Sequence, residues 1–304
     1  MHLPTLRQLQ FLDAIANHGS FSRAADQCNV TQPTLSAAIK ELEALLDVQL
    51  VEREPRGASL TRAGEEVARR ARIVLTEAQD LVAAAHEAGR PLSGTFHLGA
   101  IPTIAPYVLP QILPALRETY PDLRLVLRED TTERLLDALR ARALDAALIA
   151  LPWEAPGIET EKLADDEFLL IAPPDHPLSK RNGLSPDDIG ESDMLLLEDG
   201  HCLREHALAA CALPSTRRGA EVSATSLHTL VHMVAGGLGV SLVPRLAANA
   251  GVTAGTDVAM RAFTDPLIGR SIGVAWRAGS PRRGEAKLIG QVVRTALGSD
   301  TSMN

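Results

Sequence analysis

The sequence predicts an α/β protein built from an N-terminal winged helix-turn-helix, a long linker helix and a two-lobed α/β domain. Two short helical segments close to the N-terminus are separated by about three residues. An apolar seam follows them for almost three heptads, and strand-like and helix-like segments then alternate to the end of the 304 residues. A chain of this length holds two or three domains. The expected boundaries are 1–60 for the helix-turn-helix and wing, 61–90 for the linker helix and 91–304 for the two-lobed part, with one lobe at 91–164 and 268–304 and the other at 165–267.

Leu6, Leu9, Leu12 and Ile15 recur at helical spacing, so a first helix ends near Gly19. A short helix runs from Phe21 to Cys28 behind Ser20 as N-cap. Thr31 caps the next one, and Pro33 suits its first turn, where a missing N–H costs nothing. Leu35, Ile39, Leu42 and Leu46 mark one face of that helix, and polar residues lie opposite, which is helix-turn-helix patterning. Leu50 to Thr61 holds two short extended pieces around Pro55-Arg56-Gly57, a hairpin that here would be a wing. Thr61 then caps the long helix, along which Val67, Ala71, Val74, Ala78, Leu81 and Ala85 step by four and three. A seam of this kind calls for a partner, so at least a dimer is expected. Gly89-Arg90-Pro91, with Gly94 just beyond, ends the helix in a hinge or linker.

Phe96 to Ile101 reads as a strand and is followed by a helix to Glu118. Leu123 to Leu127 is a strand, Thr132 to Arg142 a helix and Ala146 to Leu151 an apolar strand. That order implies a parallel sheet with helices on both faces. A second set runs from Phe168-Leu169-Leu170-Ile171 to Val240-Ser241-Leu242-Val243. Ile272 to Trp276 is a returning strand, and Lys287 to Leu297 closes the chain as a helix. Two α/β lobes with a cleft between them suit a sensor.

Composition narrows the function classes. Apolar residues make up 45% and charged ones 22%, the balance of an ordinary globular protein. Net charge is −8, yet the first 74 residues carry nine basic and nine acidic side chains, so the acidity sits downstream of the helix-turn-helix. No signal peptide and no membrane span is read, and a cytoplasmic protein is expected. In a reducing cytosol a cysteine pair is catalytic, redox-sensing or metal-binding rather than structural. No metal site and no cofactor is expected: the nine histidines are scattered, and His228 with His232 has no nearby cysteine or carboxylate support. Gly236-Gly237-Leu238-Gly239 lacks a phosphate-loop lysine and reads as a helix-to-strand turn.

Phe21-Ser22-Arg23-Ala24-Ala25, Thr31-Gln32-Pro33-Thr34-Leu35-Ser36 and Leu60-Thr61-Arg62-Ala63-Gly64, in this order and spacing, resemble the LysR-type transcriptional regulators. The likeness extends over the full length and implies a regulatory domain of the periplasmic-binding-protein type. Ile101-Pro102-Thr103, the run Leu197 to Arg204 and Ala278-Gly279-Ser280-Pro281 narrow it to the peroxide-responsive branch. The discriminating feature is Gly200-His201-Cys202-Leu203-Arg204 with Cys211 nine positions after the first cysteine.

In such a protein the second helix of the motif enters the major groove and presents its first two turns to base edges. Here those turns hold Gln32, Pro33, Thr34, Ser36 and Ala37, with Lys40 near the backbone. Gln32 would bond adenine bidentately, Thr34 would touch a thymine methyl and Lys40 would neutralise a phosphate. Arg53 and Arg56 flank the wing and would meet the minor groove or phosphates. For any one of these residues the competing reading is plain solvated surface. Glu41 stands where relatives often carry a second basic residue, which predicts weaker phosphate affinity or more reliance on oligomerisation.

Leu203 to Ala210 has helix-forming composition, so Cys202 lies at a helix N-terminus, where exposed N–H groups favour a thiolate; His201 and Arg204 add donors and charge. A thiolate attacks peroxide to give a sulfenic acid, which a second thiol converts to a disulfide. Cys202 is thus the candidate peroxidatic residue and Cys211 the resolving one. Nine residues of intact helix span roughly 13 Å, whereas a disulfide needs α-carbons within about 7 Å, so closure requires the segment to unwind. By resemblance, Thr103, Thr132, His201, Arg204, Glu205 and Arg270 surround the peroxide, and Arg270 would stabilise the leaving hydroxide. Glu205 stands where family members often carry Asp. Thr132 is nearly as well suited to capping the helix it begins, and Cys28 reads as a core residue.

The resemblance implies promoter DNA, hydrogen peroxide, a second copy of the chain (dimer or dimer of dimers), RNA polymerase and a thiol reductant as partners, and no enzyme activity. The rival reading is a LysR-type regulator that binds a small metabolite between the lobes, with incidental cysteines. A thiol peroxidase and an exported solute-binding protein are further alternatives, opposed by the helix-turn-helix and by the missing export signal.

Overall fold

The computed structural model describes residues 3–54, 57–87, 91–189, 194–198, 200, 202–210, 224–264 and 268–300. The chain forms two compact units, Met1–Gly89 and Arg90–Asn304.

The first unit holds α1 (Leu6–His18), α2 (Phe21–Gln27), α3 (Gln32–Leu46), β1 (Val51–Glu54), β2 (Gly57–Leu60) and α4 (Arg62–Glu87). Its helix starts follow the capping residues. A Thr5–Gln8 capping box opens α1, and the hydroxyls of Ser20 and Thr31 accept the first free N–H groups of α2 and α3. Gly19, at φ +57°, turns the chain sharply from α1 into α2. Leu12, Ile15, Ala24, Leu35, Ile39, Leu42 and Leu50 form a closed core. Cys28, expected in that core, is only half-buried, at the C-cap of α2 and packed against its edge.

The wing is an antiparallel hairpin, β1 with β2, in register Val51 to Leu60. Glu43 ties it to α3, because its Oε1 accepts from the backbone N–H groups of Leu50 (2.8 Å) and Val51 (3.1 Å). At the far end Thr61 Oγ1 donates to the Gln49 carbonyl (2.8 Å) and accepts from Gly64 N (3.0 Å), so one hydroxyl closes the wing and opens α4. The helix passes so close that a Cβ on Gly64 would lie 2.0 Å from the Leu50 carbonyl oxygen. Along α4, Ala71 is buried, but Val74 (45%) and Leu81 (72%) of the expected seam are exposed, as is Val82 (53%).

The second unit contains β3 (Gly94–Ala100), α5 (Ala105–Thr119), β4 (Leu123–Glu129), α6 (Thr132–Arg140), β5 (Ala146–Leu151), β6 (Ile158–Ala172), α7 (Cys202–Ala210), α8 (Leu227–Ala235), β7 (Ser241–Pro244), α9 (Arg245–Asn249), β8 (Ala259–Ala262), β9 (Gly269–Arg277) and α10 (Arg283–Asp300). Strand order is β4-β3-β5-β9-β6-β7, with β8 also on β6. The expected parallel run is present, since β4 and β5 both pair parallel with β3, and the returning strand β9 inserts antiparallel between β5 and β6. The second lobe's named strands pair with β6 antiparallel. The reason is chain direction: β3, β4 and β5 are joined by helical crossovers, whereas β9 arrives from the opposite lobe.

β6 is the spine of both lobes. From Ile158 to Glu167 it pairs with β9, and from Phe168 onward it pairs with β7 and β8. Each lobe therefore grows from one end of a single strand, and the changeover at Glu167/Phe168 sets the hinge line. One buried apolar cluster runs through both lobes, from Phe96, Val108, Leu135 and Ile149 to Phe168, Leu203, Val231 and Val243.

The Gly64–Leu50 approach yields a stability prediction for the DNA-binding unit. Gly64→Ala forces backbone apart and should cost about 1–3 kcal/mol, the usual cost of overpacking, read as a lower urea midpoint for this unit. A midpoint equal to wild type would mean that the wing can shift without loss.

Candidate functional site

Three helix starts meet in the second unit. A narrow pocket is lined by Ile101, Pro102 and Thr103 just before α5, Thr131 and Thr132 at the start of α6, and Gly200 and Cys202 at the start of α7. Two of these starts come from one lobe, at the carboxyl ends of β3 and β4, and the third comes from the other lobe. Crevices outside strand carboxyl ends are where open α/β sheets place their ligands. The first turn of α5 is closed on its own chain, Ala105 N donating to the Ile101 carbonyl (2.9 Å) and Tyr107 N and Val108 N to that of Ile104 (3.1 and 3.0 Å). Gly200 has φ +93°, a conformation a side chain would strain, and this turn brings the chain into α7.

Cys202 is the first residue of α7, 5% exposed, and carries a free thiol. The expected lowered pKa is not what the surroundings produce. Burial pushes the thiol up, and Glu205 adds to this; Arg270, the Thr132 hydroxyl and the helix N–H oppose it with smaller effect. The opposing charge is Arg270, not Arg204, whose Nη1 donates to the Leu197 carbonyl at 3.4 Å.

Arg270 is the most constrained side chain of the site, with no exposure of its own. Its Nε donates to Asp166 Oδ2 (3.0 Å), Nη1 to Thr103 Oγ1 (2.7 Å) and Nη2 to the Thr103 carbonyl (2.9 Å). Asp166, opposite Arg270 in the β6–β9 register, uses Oδ1 to accept Leu246 N (2.9 Å) at the head of α9. One ion pair thus joins β9, β6, the turn before α5 and the start of α9. Tyr107 of α5 also feels Arg270, yet burial holds its hydroxyl up to about 12, and its ring stacks on His228 of α8 with centroids 6.4 Å apart.

Of the sequence-predicted residues, Thr103, Thr132 and Cys202 line the pocket and Arg270 stands directly behind Thr103. Thr132 is not the helix cap. Thr131 holds that position, and Thr132, 2% exposed, has a buried hydroxyl with no hydrogen bond of normal geometry among the described residues. Glu205 is exposed in the first turn of α7, outside the lining. His201 and Cys211 lie outside the described residues.

Sequence reading missed Asp166 and His206. Asp166 left only an indirect sign: an arginine at the start of an apolar strand needs a counter-ion. His206 follows Cys202 by one helical turn, so the two share a face of α7. Burial, then Arg270, lowers its pKa to about 4.

On α3, Gln32, Pro33, Thr34, Ala37 and Lys40 are exposed and Ser36 is half-buried. Ser22 Oγ donates to Gln32 Oε1 (3.1 Å), and the hydroxyls of Thr31 and Thr34 are 2.8 Å apart, so the first turn is held in place before any base arrives. Glu41 accepts a long bond from Gln8 Nε2 (3.5 Å). Arg53 belongs to β1, and Arg56 lies outside the described residues.

A winged helix-turn-helix with a long helix and a two-lobed α/β domain defines a DNA-binding transcriptional regulator rather than an enzyme. The chain belongs to the LysR family: residues 6–65 match the bacterial regulatory helix-turn-helix protein, lysR family, and residues 89–298 match the LysR substrate binding domain. It is 38% identical to the DNA-binding transcriptional dual regulator OxyR of Escherichia coli K12, over 96% of this chain and 95% of that protein. Among solved structures it resembles a full-length OxyR variant from Pseudomonas aeruginosa (TM-score 0.78, 35% identity, 97% of this chain and 96% of that one). It also resembles a hydrogen-peroxide-bound OxyR mutant from Corynebacterium glutamicum (TM-score 0.68, 36% identity, 98% and 94%). No helix among the described residues is long and apolar enough to cross a membrane.

Removing one member of the buried pair leaves the other uncompensated. Asp166→Leu should lower the stability of the regulatory unit by about 3–5 kcal/mol in urea titrations, and Asp166→Leu with Arg270→Met should recover most of it. If the single variant unfolds like wild type, the pair carries no such load.

Proposed function

We propose that this chain is a peroxide-responsive regulator whose switch is oxidation of Cys202 followed by a disulfide to Cys211. The observation that carries the reading is the setting of Cys202: a buried thiol at a helix start, beside the Thr132 hydroxyl and within the field of Arg270. The similarity to OxyR, including a peroxide-bound relative, supports it.

The chemistry balances as follows. The Cys202 thiolate attacks one peroxide oxygen, an S–O bond forms, the O–O bond breaks and hydroxide leaves. Sulfur is thereby oxidised to a sulfenic acid. Arg270 commits three of its N–H donors to Asp166 and Thr103, and its remaining N–H groups are suited to the departing hydroxide. The Cys211 thiol then attacks the sulfenic sulfur, an S–S bond forms and water leaves. A thiol reductant restores the pair.

The length mismatch supports a conformational switch. From Cys202 to Ala210 the helix rises roughly 12 Å at ~1.5 Å per residue. One peptide step beyond Ala210 recovers at most about 3.8 Å, so with α7 wound the span exceeds the about 7 Å a disulfide tolerates. Closure must unwind the helix.

In this reading residues 1–60 grip promoter DNA through Gln32, Pro33, Thr34, Ser36, Lys40, Arg53 and Arg56. Residues 61–90 pair with a second copy through the bare seam around Val74 and Leu81, and residues 91–304 sense. A dimer of dimers would face RNA polymerase at the promoter, in the cytoplasm.

Peroxide added to reduced protein should remove two thiols and yield a Cys202–Cys211 peptide by mass spectrometry, with no loss in Cys202→Ser. Full thiol recovery in wild type after mild peroxide would sink the reading. Gln32→Ala should change base preference, whereas Lys40→Ala should weaken all sequences and reduce the salt slope by roughly one. Equal, sequence-independent losses would remove base reading from Gln32.

A further inference from the structure

Two buried polar atoms near Cys202 stand out: Thr132 Oγ1 has no partner other than the Cys202 sulfur, and His206 Nδ1 has none among the described residues. Folding rarely leaves such atoms unpaired without a reason. The first lines the pocket with Cys202, and the second sits one turn along α7 on the same face. His206 stands outside the lining itself, one helical turn from Cys202, and Arg270 acts electrically on both.

The other acceptors there are already engaged. Asp166 gives Oδ1 to Leu246 N and Oδ2 to Arg270 Nε, and Thr103 Oγ1 accepts from Arg270 Nη1. The Thr132 hydroxyl is best used on the sulfur, where it opposes the rise in thiol pKa. Hydrogen peroxide carries two O–H donors as well as lone pairs. Donors for it are plentiful, in the Thr103 hydroxyl proton and the remaining Arg270 N–H groups; among the described residues a vacant side-chain acceptor is scarce.

We propose that His206 is a positioning residue for the peroxide: its Nδ1 accepts one O–H of the incoming molecule and turns the O–O axis toward the Cys202 sulfur. This rests on the peroxide reading above and adds a residue to it. The imidazole is suited to the task because burial and Arg270 keep it uncharged at any pH near neutral, with a ring-nitrogen lone pair to offer. It takes no proton in the reaction; bond making and breaking stay with sulfur and peroxide.

The test is the second-order rate of Cys202 oxidation in the full-length protein by hydrogen peroxide and by tert-butyl hydroperoxide, which has one O–H. His206→Leu should slow the hydrogen peroxide reaction roughly 10–100-fold, the scale of misplacing a reactant by about 1 Å, and should lower the preference for hydrogen peroxide. His206→Gln, which keeps an acceptor, should stay within about threefold of wild type. Thermal melting checks that each variant is folded. A folded Leu variant at wild-type rate overturns the inference, and so does a folded Gln variant as slow as Leu, since that pattern reports packing alone. Wild type that fails to react at all sinks the peroxide reading itself, a different failure.

Discussion

A guanidinium with no contact with solvent must be matched by a fixed negative charge, and here Asp166 supplies it. The geometry of the regulatory unit follows from that pair. Arg270 lies on β9 and Asp166 on β6, two residues before β6 passes from one lobe's sheet to the other's. The guanidinium reaches across to both the hydroxyl and the carbonyl of Thr103, and the second carboxylate oxygen caps the backbone at Leu246. Hinge strand, pocket wall and second lobe are therefore tied to one charge. A lysine at position 270 could not do this, because three directed donors from one plane are the property of a guanidinium.

That arrangement explains why the thiol can be buried and still be useful. Desolvation favours the protonated form, so a thiol 5% exposed is an unpromising nucleophile on its own. Arg270, the Thr132 hydroxyl and the N–H at the start of α7 partly offset the penalty. The same burial excludes bulky competitors. Access and reactivity of the thiol are thus governed by the same enclosure.

Local rules made the helix-turn-helix legible to within a residue or two: Ser20, Thr31 and Thr61 are caps whose chemistry does not depend on distant packing. The three parallel strands of the first set were legible from their helical crossovers, but the antiparallel pairing of β7 and β8 on β6 was not. Apolar alternation is the same for parallel and antiparallel neighbours, and Ile272 to Trp276 carries no mark that it inserts between β5 and β6. The site divided in a similar way. Cys202 at a helix start could be read from Gly200 and the helix-forming run after it. Its raised pKa could not, because burial is a property of three converging elements separated by long stretches of chain. Asp166 was hidden for the same reason, being one of three consecutive acids of which only the structure says that Asp165 faces Ser271, Asp166 faces Arg270 and Glu167 faces Arg245.

The helix that carries Cys202 is also the weakest link in the arrangement. At nine residues α7 is shorter than the about 12–15 that isolated helices need, so its persistence rests on burial of Leu203, Ala207 and Leu208 against the core. Those side chains contribute about 1.5–3 kcal/mol for each leucine, an amount that covalent sulfur chemistry is able to override and that thermal motion seldom does. A longer helix would resist unwinding, and a loop would present the thiol without the N–H groups. A short packed helix joins a quiet resting state to a low barrier for rearrangement. In the proposed switch, oxidation at its first residue would strike where the helix has the fewest internal hydrogen bonds to lose, because the opening turn of any helix donates none of its N–H groups backward.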